Sequence, residues 1–253
     1  MATWAKVAAR GAAATASLLT TTGLLVTTAA RTVLVTGLFV ACAAGVPAAA
    51  ATDAAPGLVQ VARLQYGGGG DWYCNPTSLP NWLEQFEART GIPTARREAI
   101  VTLDSEDLHR YPLLYLSGHG RIALEPGELA ALRRYLDAGG FLWADDNYGL
   151  DDSLRATLAE LFPDQPLVPL ASGHPLYRCY YDLPGLPKIH EHDGDPAQGF
   201  GIVRGGRLVV YYAWSSDIGD GLEDPEVHGD PAEAREAAAR MAVNVLTWAL
   251  TQP

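Results

Sequence analysis

Apolar and polar positions change period several times along the chain. Residues 113–116 are a short apolar run that breaks at Ser117-Gly118-His119-Gly120, the pattern of a buried strand entering a tight turn. From Glu125 to Leu136 the period becomes helical. Leu129, Leu132 and Leu136 share one face with Tyr135 beside them, while Arg133, Arg134 and Asp137 lie off it. Pro126 suits a first helical turn, and Gly139-Gly140 suits the stop. Residues 141–144 are a second buried strand that runs into Asp145-Asp146-Asn147. Strand, helix and strand with short links predict a right-handed crossover between parallel strands. Parallel strands end at the same edge of a sheet, so His119, Asp145 and Asp146 are expected on one rim.

The flanking pattern extends this α/β reading. Residues 58–66 alternate and are β-rich, predicting a first strand that ends in Gly67-Gly68-Gly69-Gly70-Asp71-Trp72-Tyr73-Cys74-Asn75-Pro76. Four glycines after a strand either let backbone approach a ligand or form a flexible loop. The G-x-G-x-x-G spacing and a Walker lysine are both missing, which argues against a nucleotide. Ser78 is placed to cap a helix with Trp82, Leu83 and Phe86 on its apolar face and Gly91 at its end. A second strand is expected over 94–103, a helical turn over 105–108, and a helix over 151–161. Residues 166–195 are irregular and dense in Pro, Gly, Tyr and His, the composition of a functional loop or lid. A β-hairpin over 200–213 and a closing helix over 231–250 complete the pattern.

Composition separates the first 51 of the 253 residues from the rest. They contain Lys6, Arg10 and Arg31, no acidic residue, and long Ala/Thr/Val/Leu stretches ending in a run of small residues. This is the make-up of a signal peptide or an uncleaved N-terminal membrane anchor. Phe39-Val40-Ala41-Cys42 resembles a bacterial lipobox, which makes Cys42 a lipidation candidate. The expected organisation is leader 1–51, linker 52–57 and one α/β domain over 58–253, exported and periplasmic or membrane-anchored. Loss of the leader's three positive charges takes the formal net charge from −11 to −14. With no basic stripe, a nucleic-acid partner is not expected. In an oxidising compartment Cys74 and Cys179 are a candidate disulfide.

The order strand, Gly-His-Gly, helix, strand, turn, helix resembles the class I glutamine amidotransferase-like fold, a flavodoxin-like three-layer sandwich with a mainly parallel sheet. More closely, residues 58–252 resemble an uncharacterised bacterial family of exported domains of unknown function. The resemblance rests on Gly70-Asp71-Trp72, Gly118-His119-Gly120, Gly139-Gly140 with Asp145-Asp146, His174-Pro175, and Arg207 through Asp217. It implies neighbours of the MoxR-type ATPase and von Willebrand A-domain systems as partners. In working amidotransferases the strand after the oxyanion turn ends in an elbow bearing a cysteine nucleophile. Here the corresponding stretch is Trp143-Ala144-Asp145-Asp146-Asn147, with no cysteine, and a carboxylate is a far poorer nucleophile toward an amide.

The open-sheet rule collects His119, Asp145 and Asp146 as candidate catalytic groups, and Asp71, Trp72, Asn75, Asn147, His174 and Asp217 as candidate ligand-binding groups. His190 and His192 lie in the irregular segment, and their H-x-H spacing is a weak metal signal. Tyr177, Tyr180 and Tyr181 either pack or form a wall for a sugar or peptide. Each polar group has a plainer use: a turn for His119, a helix cap for Asp145 or Asp146. Two functions are compatible with these residues. One is a domain binding a small molecule or an envelope protein at the rim. The other is a carboxylate/histidine hydrolase of the cell envelope, compatible with a divalent metal.

Overall fold

The computed structural model describes residues 57–252 with the exception of Asp193; the side chain of Asn147 also lies outside the description. The leader, Cys42 and most of the linker fall outside the described residues. One seven-stranded sheet organises the chain: β1 (Ala62–Leu64), β2 (Ala99–Val101), β3 (Leu113–His119), β4 (Phe141–Tyr148), β5 (Val168–Pro169), β6 (Gln198–Arg204) and β7 (Arg207–Trp214). Their order across the sheet is β2-β1-β3-β4-β7-β6-β5. β2, β1, β3, β4 and β7 run parallel, whereas β6 and β5 add an antiparallel edge.

Side chains alternate across a strand, and here both faces are apolar, as a parallel sheet covered on both sides demands. Leu114, Leu116, Leu142, Ala144, Val210 and Tyr212 face one core, which is closed by α2 (Pro126–Asp137) and α3 (Asp151–Leu161). Leu113, Tyr115, Phe141, Trp143, Tyr211 and Ala213 face the other. That core is closed by α1 (Ser78–Thr90), α4 (Ile218–Leu222) and α6 (Ala232–Thr251). A short α5 (Pro225–His228) bridges the last two. Among the described residues, no helix is long and apolar enough to cross a membrane.

The expected β3–α2–β4 crossover is present, with Leu114 opposite Leu142 and Leu116 opposite Ala144. α2 carries a capping box in which Glu125 and Glu128 each bond the other's backbone N–H, so its start is set by its own sequence. Other boundaries differ. The first strand is three residues long rather than nine, because residue 59 makes only an isolated bridge to Thr94. β4 runs on through Tyr148, so residues 143–147 are continuous strand and not an elbow. Ser78 does not cap α1. Glu223 does, from the far end of the chain: Oε1 accepts the backbone N–H of Thr77 and of Ser78, each at 2.9 Å. β5, α4 and α5 carried no predicted pattern, being two, five and four residues long.

Candidate functional site

The strand order reverses between β1 and β3, so the loops leaving these two strands diverge from a common point at the carboxyl edge. The glycines after β1 are used there for close approach between two stretches of the chain itself. Gly68 has φ +105°, and a Cβ on it would stand 2.4 Å from the backbone nitrogen of Ala123. Gly67 bridges Ala123, and Gly70 N–H donates to the Arg121 carbonyl at 2.9 Å. The loop is thereby laid along residues 119–123. Arg63, buried in the middle of β1, pins the far end of the loop: its guanidinium donates to the carbonyls of Cys74 at 2.8 Å and Asn75 at 3.1 Å.

The predicted residues separate into three groups. Asp71 accepts from the backbone N–H of His119 and lies 3.1 Å from its Nδ1, so these two form a half-exposed pair. Trp72 packs on the core that α2 and α3 close. Cys74 lies 3.8 Å from the Ser117 hydroxyl, and burial pushes its thiol up to about 12, far from a thiolate nucleophile at neutral pH.

Asp145 and Asp146 were expected to act together with His119. Being consecutive in a strand, they point to opposite faces of the sheet. Asp145 is fully buried on the α4 side, accepting the Tyr115 hydroxyl at 3.0 Å and the N–H groups of Ile218 and Gly219 at 3.2 and 2.7 Å. Burial outweighs these three donors and raises its carboxyl to about 7. Asp146 is on the α3 side, accepting the Tyr212 hydroxyl at 2.9 Å and the Leu150 N–H at 3.3 Å. Each Asp therefore anchors the start of a following helix, and His119 is bonded to neither.

The remaining candidates divide cleanly. Asn75 and Asp217 stand at the rim in left-handed backbone, with φ of 52° and 62°. His174 does not: its ring accepts the Leu176 N–H, caps a 3₁₀ turn and packs on Trp248 of α6, where burial lowers its pKa. Tyr177 is core, while Tyr180 and Tyr181 pack around Arg89, so none walls the rim. Cys74 and Cys179 are not joined to each other in a disulfide. Cys179 is held at the carbonyls of Leu176 and Asn244 against the middle of α6, whereas Cys74 sits in the loop after β1, so the expected bridge is not formed in this structure.

Sequence reasoning named His190, His192 and Asp217 but missed Asp220, His228 and Asp230, with which they form a denser cluster around α4. His192 pairs through Nε2 with Asp217, and His190 lies 3.4 Å through Nδ1 from Asp230. Asp220 accepts the Asn75 amide at 2.7 Å and lies 3.4 Å from Nδ1 of His228. Burial first, then the neighbouring Asp220, Asp145 and Asp146, raises the Asp217 carboxyl to about 10. Its Oδ1 is buried with no hydrogen-bond partner among the described residues, as is Oδ2 of Asp230. The signal available beforehand was compositional, a concentration of His and Asp over residues 190–230.

Beside this cluster is a cleft of about 260 Å³ between the β4–α3 turn and the end of β7. Asp146, Asp151, Asp152 and Asp195 line it with Tyr148, His192 and Trp214. The Tyr148 and His192 rings are 5.3 Å apart at its mouth. A comparison with curated proteins finds no match. A family model does match, over residues 60–250, and so spans both the sheet and every part of this rim. The chain belongs to the family described as Domain of unknown function (DUF4159).

Proposed function

We propose that this chain is an exported or membrane-anchored ligand-binding domain of the class I glutamine amidotransferase-like type. Its rim cleft takes a small cationic ligand, and it has no cysteine-dependent amidotransferase activity. The strand order supports the fold: β2-β1-β3-β4-β7 follows the 2-1-3-4-5 order of flavodoxin-like sheets, with the hairpin partners β6 and β5 added outside it. The position of Cys74, half-buried in the loop after β1 with its thiol pushed up to about 12, supports the exclusion.

The observation that carries the ligand class is the cleft's lining. Four carboxylates meet aromatic rings there, with Arg155 at 2.6 Å from Asp151 as an ion-pair partner beside them. Carboxylates concentrate a cation and aromatic faces accept it, so an amine is favoured over an anion. A thermal-shift series at low ionic strength tests this, using short diamines and amino sugars beside their N-acetylated counterparts. Stabilisation by the charged members, reduced in Asp152→Asn and Asp195→Asn, is expected. Equal response to the acetylated compounds, or preference for anions, would overturn the reading. One observation favours a carboxylate/histidine hydrolase as the second reading: the cleft shares His192 with the histidine cluster. Turnover of a compound that binds separates the two.

A further inference from the structure

The histidine–aspartate cluster around α4 lies outside everything the cleft requires of a cationic ligand except for His192. One ligand atom from each of His190, His192 and Asp220 lies within 4.8 Å of the other two. Imidazole nitrogens and carboxylate oxygens bind zinc at about 2.0–2.2 Å, which sets tetrahedral donors roughly 3.4 Å apart, so three atoms within 4.8 Å of one another reach one cation after a small side-chain adjustment.

The surroundings of the three residues match what metal ligands need. A histidine that binds a metal through one ring nitrogen is commonly oriented by a carboxylate on the other. Asp230 engages Nδ1 of His190, and Asp217 engages Nε2 of His192. The lone pairs left to a cation are then Nε2 of His190 and Nδ1 of His192. Asn75 fixes Asp220 through Oδ1, and Oδ2 lies 3.4 Å from Nδ1 of His228, a contact that a cation at Oδ2 would replace. Three separate elements supply these groups: the irregular segment before β6, α4 with the turn into it, and the loop after α5.

An independent observation concerns the two orienting carboxylates. Asp217 is 1% exposed and the Asp230 side chain 6% exposed, and each keeps one buried oxygen with no hydrogen-bond partner among the described residues. A buried carboxylate oxygen without a donor is costly, and a dication held in the adjoining ligand set offsets that cost. The other trio at the rim, Asp71, Cys74 and His119, is less suited. Asp71 spends one oxygen on a backbone N–H and the other on the His119 ring itself, and burial pushes the Cys74 thiol up to about 12.

We propose that His190, His192 and Asp220 bind one divalent transition-metal ion of zinc-like preference, with Asp217 and Asp230 orienting the two imidazoles. Two imidazoles select such an ion over magnesium or calcium, which take oxygen ligands. Three protein ligands leave at least one position open, and His192 places that position beside the cleft. The assignment does not rest on the cleft's ligand, so either can fail alone.

The test uses the full chain without a histidine tag, stripped with chelator and titrated calorimetrically with zinc, then with magnesium. The expected result is one equivalent of zinc and no competition from magnesium. His190→Ala and Asp220→Asn should weaken zinc binding at least about 100-fold, and Asp217→Asn about 10–100-fold. His109→Ala, an exposed histidine elsewhere, should leave it unchanged. Circular dichroism of each stripped variant shows that it is folded; should His190→Ala fail to fold, His192→Gln takes its place. Substoichiometric binding, or binding unaffected by both ligand substitutions, would overturn the assignment. Zinc retained by His190→Ala but lost by His119→Ala would move the ion to the other trio and overturn it equally.

Discussion

The Asn75 side-chain amide donates to Asp220 at 2.7 Å, joining the loop after β1 to α4 across 145 positions of sequence. Asn75 is buried and in left-handed backbone, so it serves both a conformation and a contact. Asn75→Gly removes the amide but keeps the conformation, whereas Asn75→Ala loses both. The glycine variant should cost about 1–2 kcal/mol from the buried hydrogen bond. The alanine variant should cost about 1 kcal/mol more for the left-handed residue. Denaturant unfolding measures both; equal stability of the two would show that the backbone at 75 is relaxed.

Glu223 offers a second measurable link. It is 1% exposed, takes two backbone N–H groups at the start of α1, and accepts the Thr77 hydroxyl at 2.8 Å. Glu223→Ala leaves that helix start without its cap, for a loss of about 1–3 kcal/mol. At about 2–4 °C per kcal/mol for a domain of this size, the melting temperature should fall by roughly 2–12 °C. The far-UV spectrum should be unchanged.

Asp145 gives the pH dependence a sign. Its carboxyl stands at about 7 in the fold and near 3.9 in an unfolded chain. Between these values the folded state holds more protons than the unfolded one, so this group's contribution to stability is fully present below pH 4 and falls as pH rises toward 7. The slope is at most about 1.4 kcal/mol per pH unit. In Asp145→Asn the difference from wild type should therefore shrink, or reverse in the variant's favour, as pH rises through that window. Urea unfolding of both proteins at pH 4.5, 6 and 7.5 checks it. A constant difference would mean that Asp145 is ionised throughout.

Thiol chemistry tests the corrected cysteine assignment. Burial raises Cys74 to about 12 and Cys179 to about 11, so both should react slowly with an aromatic disulfide reagent at pH 8. Unreduced Cys42→Ser protein in denaturant should then show both thiols at once, the third cysteine of the sequence being removed from the count. A thiol count that rises only after reduction would restore the bridge.

The parts of this molecule legible in sequence are those whose cause is local. α2 is readable to within a residue because its apolar stripe, capping box and terminal glycines all lie within a short stretch. The mainly parallel α/β sheet is legible for the same reason, since the β3–α2–β4 unit carries its own period, whereas the family is legible through resemblance in motifs such as Gly118-His119-Gly120. Asp145 and Asp146 look like a loop in sequence because the apolar run stops at Ala144. The strand continues because Tyr115 and Tyr212 wait on opposite faces to receive the two carboxylates. Those donors are 30 and 66 positions away and leave no trace in the local pattern. Asp220 and Asp230 escape notice likewise, since their partners Asn75 and His190 come from other loops, and His228 escapes because its partner is Asp220. His174 misleads in the other direction. A His-Pro pair in an irregular segment suggests a lid, and it proves to be the cap of a 3₁₀ turn against α6.

The long reach of Asn75, Thr77 and Ser78 to residues 220–223 also orders events during synthesis. At about 5–20 residues per second, residues 220–223 leave the ribosome roughly 7–30 s after the loop they tie down. Through that interval β1, α1 and β3 can emerge, but the start of α1 lacks its Glu223 cap and Asp145 lacks its two N–H donors from α4. The rim is therefore the last part of the domain to close. A nascent chain stopped after β7 would display a sheet without a finished site, open to proteolysis at the residue 72–78 loop until α4 and α6 arrive.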